Sequence, residues 1–240
     1  MKKLLYCIIL SVFASIAFCK GASLNTATID TSAKWFAHLD MELLRASELG
    51  KFILEETEKP EVKAKLDAFK AILAFDPIRD INSLTLSGNA FAPTSGVAVI
   101  TGNFDPERIL ILLRANNSYE KADYETYSLH KWVDDNSGAA DKTHWGCFYK
   151  KDTFIIANKK EKVIETVDLL NKKKESISPK NPLLTLVPSL QKTIISIAIG
   201  NMNEMENIPT EANLLKTAEG GGLAIGEENG NTAMEISIKT

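Results

Sequence analysis

The chain is short of the side chains that carry most protein chemistry, with three cysteines, three histidines and three tryptophans among 240 residues. It has no His-Glu-x-x-His pair, no cysteines at metal-ligand spacing and no Gly-x-Ser-x-Gly turn. A zinc hydrolase, a zinc ribbon and a serine-hydrolase elbow all lack their signature. Gly220-Gly221-Gly222 is followed by no Lys-Ser or Lys-Thr, so it reads as a flexible connection before a strand and not as a phosphate cradle. Neighbouring carboxylates such as Glu55-Glu56, Asp134-Asp135 and Glu227-Glu228 read as solvent-facing charge, and nothing singles out a glycosidase pair. No cofactor and no metal are expected.

Beyond the first 19 residues there is no long apolar run. Met1-Lys2-Lys3 followed by the uncharged stretch from Leu4 to Cys19 is the basic n-region and apolar h-region of an export signal. That stretch falls short of the roughly 20 apolar residues a membrane span needs, so no transmembrane segment is expected after cleavage. The reading is a signal peptide over 1–19, a polar lead-in over 20–33 and one domain over 34–240. The protein is then exported, either periplasmic or secreted. Cys19 offers a lipid-anchored alternative, which Phe18 disfavours because a small residue normally precedes a lipidated cysteine. Loss of Cys7 and Cys19 with the leader leaves only Cys147, so no internal disulfide forms and Cys147 reads as a small buried hydrophobe. The leader also takes two of the 28 basic residues, against 31 acidic ones, which disfavours nucleic acid as a partner.

Local patterning then predicts the elements. Lys34 to Asp40 alternates as a strand, with Trp35, Ala37 and Leu39 on one face and Phe36, His38 and Asp40 on the other. Asp40 caps a helix through Leu43, Leu44, Phe52 and Ile53, in which Gly50 is a weak spot, ending near Lys59. Pro60 opens a second helix whose stripe of Leu66, Phe69, Ile72 and Leu73 lies on the sheet, and Asp76-Pro77 closes it. Strands follow over 83–88 and 96–102, and Asp105-Pro106-Glu107 starts a helix. Residues 119–158 form an antiparallel meander, 160–173 a helix, Asn181-Pro182 a helical turn and 193–200 a strand. Asn229-Gly230 turns a hairpin whose last strand points Met234, Ile236 and Ile238 inward and Glu235, Ser237 and Lys239 outward, so the sheet has one wet face. The echo of Gly102-Asn103 in Gly200-Asn201 suggests a weak internal duplication, with pseudo-repeats at about 34–118 and 143–240. The fold class is α+β, an antiparallel sheet with helices packed on one face.

KWFAHLD from Lys34, FDPIRDINSLTLSG from Phe75 and GVAVITGNFDPERI from Gly96 resemble a group of uncharacterised exported bacterial α+β proteins. The resemblance spans about residues 34–160, with a fainter extension through GNMNEMENIP from Gly200. It implies a shared fold and no particular reaction, and it implies further sequence after the last hairpin in that group.

Three functional readings remain. The first is a non-catalytic envelope or secreted protein that binds a protein or glycan partner. Trp132, Trp145, Tyr124 and Tyr127 are its candidate contacts if they project from the meander, against the plainer reading as sheet packing. The second is an exported hydrolase whose site is assembled from dispersed residues, with His38, Asp40 and His130 as candidates. The third is a subunit of a larger envelope assembly.

Overall fold

The computed structural model describes residues 21–73, 75–134, 141–205 and 217–240. The expected signal peptide, with Cys7 and Cys19, therefore lies outside the described residues, as do residues 135–140 within the expected meander. Among the described residues the fold is α+β, built on one ten-stranded antiparallel sheet and seven helices. In chain order the elements are β1 (Trp35–Asp40), α1 (Met41–Ala46), α2 (Glu48–Thr57), α3 (Pro60–Leu73), α4 (Pro77–Asp80), β2 (Ile81–Gly88), β3 (Gly96–Gly102) and α5 (Pro106–Arg114). The meander follows as β4 (Glu120–Tyr124), β5 (Tyr127–Val133), β6 (Thr143–Lys150) and β7 (Thr153–Ala157). The chain continues with α6 (Lys160–Leu170), α7 (Pro182–Thr185), β8 (Lys192–Gly200), β9 (Gly220–Glu228) and β10 (Asn231–Lys239). Strand order is β10-β9-β8-β1-β2-β3-β7-β6-β5-β4.

The predicted caps set the helix starts. Asp40 Oδ1 accepts the Leu43 N–H at 2.8 Å, Asp105 Oδ1 the Arg108 N–H at 3.2 Å, and Asn181 Oδ1 the Leu183 N–H at 2.9 Å. The single helix expected over 43–59 is two helices, because Ser47 leaves helical geometry (φ −98°, ψ 162°). The Ser47 hydroxyl accepts the Gly50 N–H at 2.9 Å, so it ends α1 and caps α2. Asp76 likewise caps a further short turn, α4, where only a stop was expected.

Period-two alternation along the strands sorts side chains onto two faces. The first is covered. Phe36, Thr85, Val99, Ile155, Cys147 and Leu129 point into it, beneath α6 at the β7–β6 end and beneath the 177–187 segment at the β1–β8 end. Ile29 is fully buried there against Phe36 and Ile177, and an isolated bridge joins Asp30 to Ser176. The lead-in, expected to bury little, thus straps the covered face.

The other face carries Leu39, Leu84, Leu86, Ile195, Ile197, Ile199, Leu223 and Ile225, all only half-buried. Met234, Ile236 and Ile238 on β10 belong to this face and are 64%, 66% and 57% exposed, which overturns their expected inward placement. They share a face as the alternation predicts, but β10 is the edge strand and its apolar side is not covered there. The α3 stripe is corrected in the same sense. Ile72 is exposed, and α3 has α2 and α5 as its main neighbours in place of a strand. Gly220-Gly221-Gly222 is no connector either: it is the buried start of β9.

Gly50 is a close-approach position as well as a helix residue. A Cβ there would lie 1.6 Å from the Leu44 carbonyl oxygen. Gly50→Ala, which helix propensity alone would favour, is therefore expected to lower stability by roughly 1–3 kcal/mol, measured by urea unfolding. An unchanged or raised midpoint would contradict the α1–α2 packing described.

Candidate functional site

The expected catalytic candidates are not brought together. His38 and Asp40 do share the covered face of β1, as the alternation predicts, and both are buried. Each already has structural work. His38 Nδ1 lies 2.9 Å from Thr85 Oγ1 and Nε2 lies 3.0 Å from the Ala22 carbonyl oxygen. A carbonyl only accepts, so Nε2 carries the proton and Nδ1 takes the Thr85 hydroxyl. Burial holds the imidazole below the usual histidine range, against the pull of the Ala22 carbonyl and the Asp40 carboxylate. Asp40 spends Oδ1 on the α1 cap, while its buried Oδ2 has no hydrogen-bond partner among the described residues.

His130 sits on the opposite face, because it pairs with Gly146, Gly146 with Ile156, and Ile156 with Ala98. Five strand spacings separate β1 from β5, roughly 24 Å at the usual 4.8 Å per strand. That is far beyond hydrogen-bond reach. His130 Nδ1 lies 2.8 Å from Tyr119 Oη, and the two rings stack. Burial lowers its basicity, and Arg114 and Lys121 reinforce the shift. Cys147 is buried and its thiol is pushed up to about 11 by that burial, the state of an inert core cysteine. His144, three residues away, points to the other face and stacks on Trp132. Among the described residues no group of histidine, cysteine and carboxylate side chains could hold a metal ion.

The aromatic binding candidates divide between the faces. Tyr124 donates to Asp168 at 2.8 Å and Tyr127 to Asn171 at 3.0 Å, both at the α6 end. Trp145 packs against the same core with Lys160 above its ring. Trp132 alone lies on the other side of the sheet. The four therefore form no common platform for a sugar or peptide.

Among the described residues, two concave regions have the volume of a small-molecule site. A cleft of about 640 Å³ is lined by Lys34, Asn181, Asn201, Glu219 and Lys239. Its charges are matched within the chain, Lys34 by Glu204 and Lys239 by Glu219. The other, of about 470 Å³, lies on the half-open face between β8, β9 and β10 and is walled by Ile197, Ile199, Met202, Leu223, Ile236 and Ile238. Its lining is aliphatic apart from Ser237, whose hydroxyl is spent on the Leu186 carbonyl. Sequence reasoning missed this site. Its signal was present in the alternation of β8 and β10, but alternation shows which residues share a face and not whether that face is covered.

No family model and no curated protein matches the chain. The architecture is similar to that of TP0453. Its crystal form IV superposes with a TM-score of 0.51 at 11% identity, covering 90% of this chain and 81% of that one. Crystal form III gives a TM-score of 0.50, also at 11% identity, over 90% and 80% of the two chains. At that identity the likeness concerns the fold alone.

Two measurements follow from the buried groups. Cys147 is expected to resist a thiol reagent in the folded chain and to react fully in denaturant, and rapid native labelling would contradict its burial. Burial makes His38 and His130 harder to protonate in the folded chain than in the unfolded one, which takes up protons below roughly pH 6.5. Their contribution to stability is thus intact above that pH and is lost progressively below it. The thermal midpoint is expected to fall from about pH 7.5 to about pH 5.5, and less steeply in His38→Gln, when followed by circular dichroism.

Proposed function

We propose that the chain is an exported, non-catalytic binding protein whose ligand is an apolar small molecule seated in the cleft between β8, β9 and β10. One observation carries the reading. The central strands turn small polar side chains, Ser83, Thr85, Ser87 and Ser196, to the covered face and large aliphatic ones, Leu84, Leu86, Ile195, Ile197 and Ile199, to the half-open one. Complete burial of a Leu or Ile side chain is worth about 1.5–3 kcal/mol, so the three exposed residues of β10 alone leave several kcal/mol unrealised. A surface ion pair contributes about 0–1 kcal/mol, so the apolar face dominates any association here.

The chemistry of the ligand follows from the lining. The aliphatic wall offers no ring face for a sugar and no free donor for a carboxylate or phosphate. Met202 is unbranched and adapts to irregular apolar shapes. A volume of about 470 Å³ falls within the range of small-molecule pockets, about 300–1,000 Å³. A hydrocarbon chain or a compact apolar molecule meets these terms. The histidines do not favour the hydrolase reading, since each is engaged in a separate structural contact.

Fluorescence titration with 1-anilinonaphthalene-8-sulfonate, followed by displacement with a long-chain fatty acid, tests the reading. Binding with displacement is expected, and Ile236→Glu and Ile238→Glu should each weaken the probe by about tenfold, the loss of one buried aliphatic contact. Absence of binding to the unaltered chain, or equal binding by folded variants, would overturn it.

A further inference from the structure

The two edges of the sheet are built differently. β4 is five residues long and carries Glu120, Lys121 and Asp123, with ion pairs from Lys121 to Asp123 and from Lys131 to Glu120, the kind of charged, short edge that resists strand addition. β10 is nine residues long and contains no proline. One of its faces is aliphatic, and among the described residues no strand pairs with its outer side. A long apolar edge left open in this way is a template for another strand.

We propose that β10 pairs antiparallel with β10 of a second copy of this chain about a two-fold axis through Ser237. The backbone pattern limits the registers. The two-residue turn Asn229-Gly230 makes Glu228 and Asn231 a hydrogen-bonded pair, so Asn231, Ala233, Glu235, Ser237 and Lys239 direct their backbone groups toward β9. Met234, Ile236 and Ile238 direct theirs outward. A two-fold pairing must set outward residues against one another, and the registers that pair two different members of this set have their axis at Glu235, at Ile236 or at Ser237. The first sets Glu235 against its own copy, a like-charge contact. The axis at Ser237 places Glu235 opposite Lys239 of the second copy and Ile236 opposite its Ile238, each twice by symmetry. Charge complementarity on one face and aliphatic pairing on the other meet only in that register. Lys239, 2.9 Å from Glu219 in its own chain, keeps an exposed side chain and can serve both carboxylates. The axis is perpendicular to the sheet, so the half-open faces of both copies lie on the same side and the two ten-stranded sheets join into one.

The proposal shares β10 with the ligand reading but does not depend on a ligand. The chain expressed from Met1 and purified from the soluble fraction is expected to show a dimer mass by sedimentation velocity and light scattering. Glu235→Lys and Lys239→Glu should each weaken the dimer by about tenfold or more, since each change removes two symmetric pairs and adds repulsion. The double variant Glu235→Lys/Lys239→Glu should restore it. Circular dichroism of each variant separates loss of association from loss of fold. A monomeric unaltered chain, or a folded double variant that stays monomeric while the unaltered chain dimerises, would overturn the proposal. Glu235 points away from the apolar cleft, so the Glu235→Lys monomer should still bind the fluorescent probe. That measurement distinguishes failure of this interface from failure of the ligand reading.

Discussion

The sheet is continuous because β1 hydrogen-bonds on both sides, to β2 through Trp35–Gly88 and its neighbours and to β8 through Trp35–Ile199. The pairing with β8 joins residues about 160 positions apart in sequence, a closure whose entropic cost must be met by contacts formed once it is made. Phe36 supplies them. It is fully buried against Ile29, Ile177, Leu183 and Ala198, so the lead-in, the segment before α7 and β8 all close on one ring. Without that contact the β8-β9-β10 unit would be held to the first half mainly by the β1–β8 ladder and by the approach of α1 and α2 to β8 and β10.

The same alternation that aims Phe36 into the covered side dictates what lies behind it. Along β1, β2 and β8 the buried side holds His38, Ser83, Thr85, Ser87 and Ser196 among its apolar residues. Polar groups at a covered position need partners, and several find them in the chain: Thr85 with His38, Ser83 with Thr101 at 2.7 Å. Satisfied internally, these groups have no requirement for anything outside. The aliphatic residues on the reverse are in the opposite position. Nothing inside the described chain finishes their burial along β8, β9 and β10, although Phe75, Phe104, Phe148 and Phe154 stack over the far end of the same face.

How much of this was legible in the sequence follows from the range of each interaction. Caps and turns are local chemistry, and Asp40, Asp105, Asn181 and Asn229-Gly230 all act where their residue types and spacing place them. The strands are legible for the same reason, through alternation over a few residues. Ser47 was harder, because a serine inside an apolar helical pattern is compatible with an uninterrupted helix until its hydroxyl is seen on Gly50. The β4–β7 meander and the β9–β10 hairpin were legible as neighbours, but the order that sets β1 between β2 and β8 was not. Met234, Ile236 and Ile238 carry the pattern of an inner strand face, and only the position of β10 at the rim exposes them. The candidate histidines failed on distance for a similar reason, since the spacing of residues 38 and 130 in sequence says nothing about four intervening strands.

The scarcity of reactive groups and the exposure of apolar ones are two sides of one design. A catalytic site keeps a titratable group near a substrate, partly solvated and incompletely satisfied. Here both buried imidazoles have ring nitrogens committed to neighbours, and the one thiol among the described residues is sealed in the core. Hydrogen bonding is thus largely settled inside the molecule, and what is left unsettled is apolar area. Such area gives affinity without direction, so selectivity must come from shape. The aliphatic wall of β8 and β9 is set by backbone pairing, Met202 adapts at its margin, and β10 supplies the rim where a partner strand or ligand would meet water. Rigid pairing on one side and an adjustable margin on the other are the features on which the proposed binding role rests, and under that proposal fit, not charge, would set selectivity.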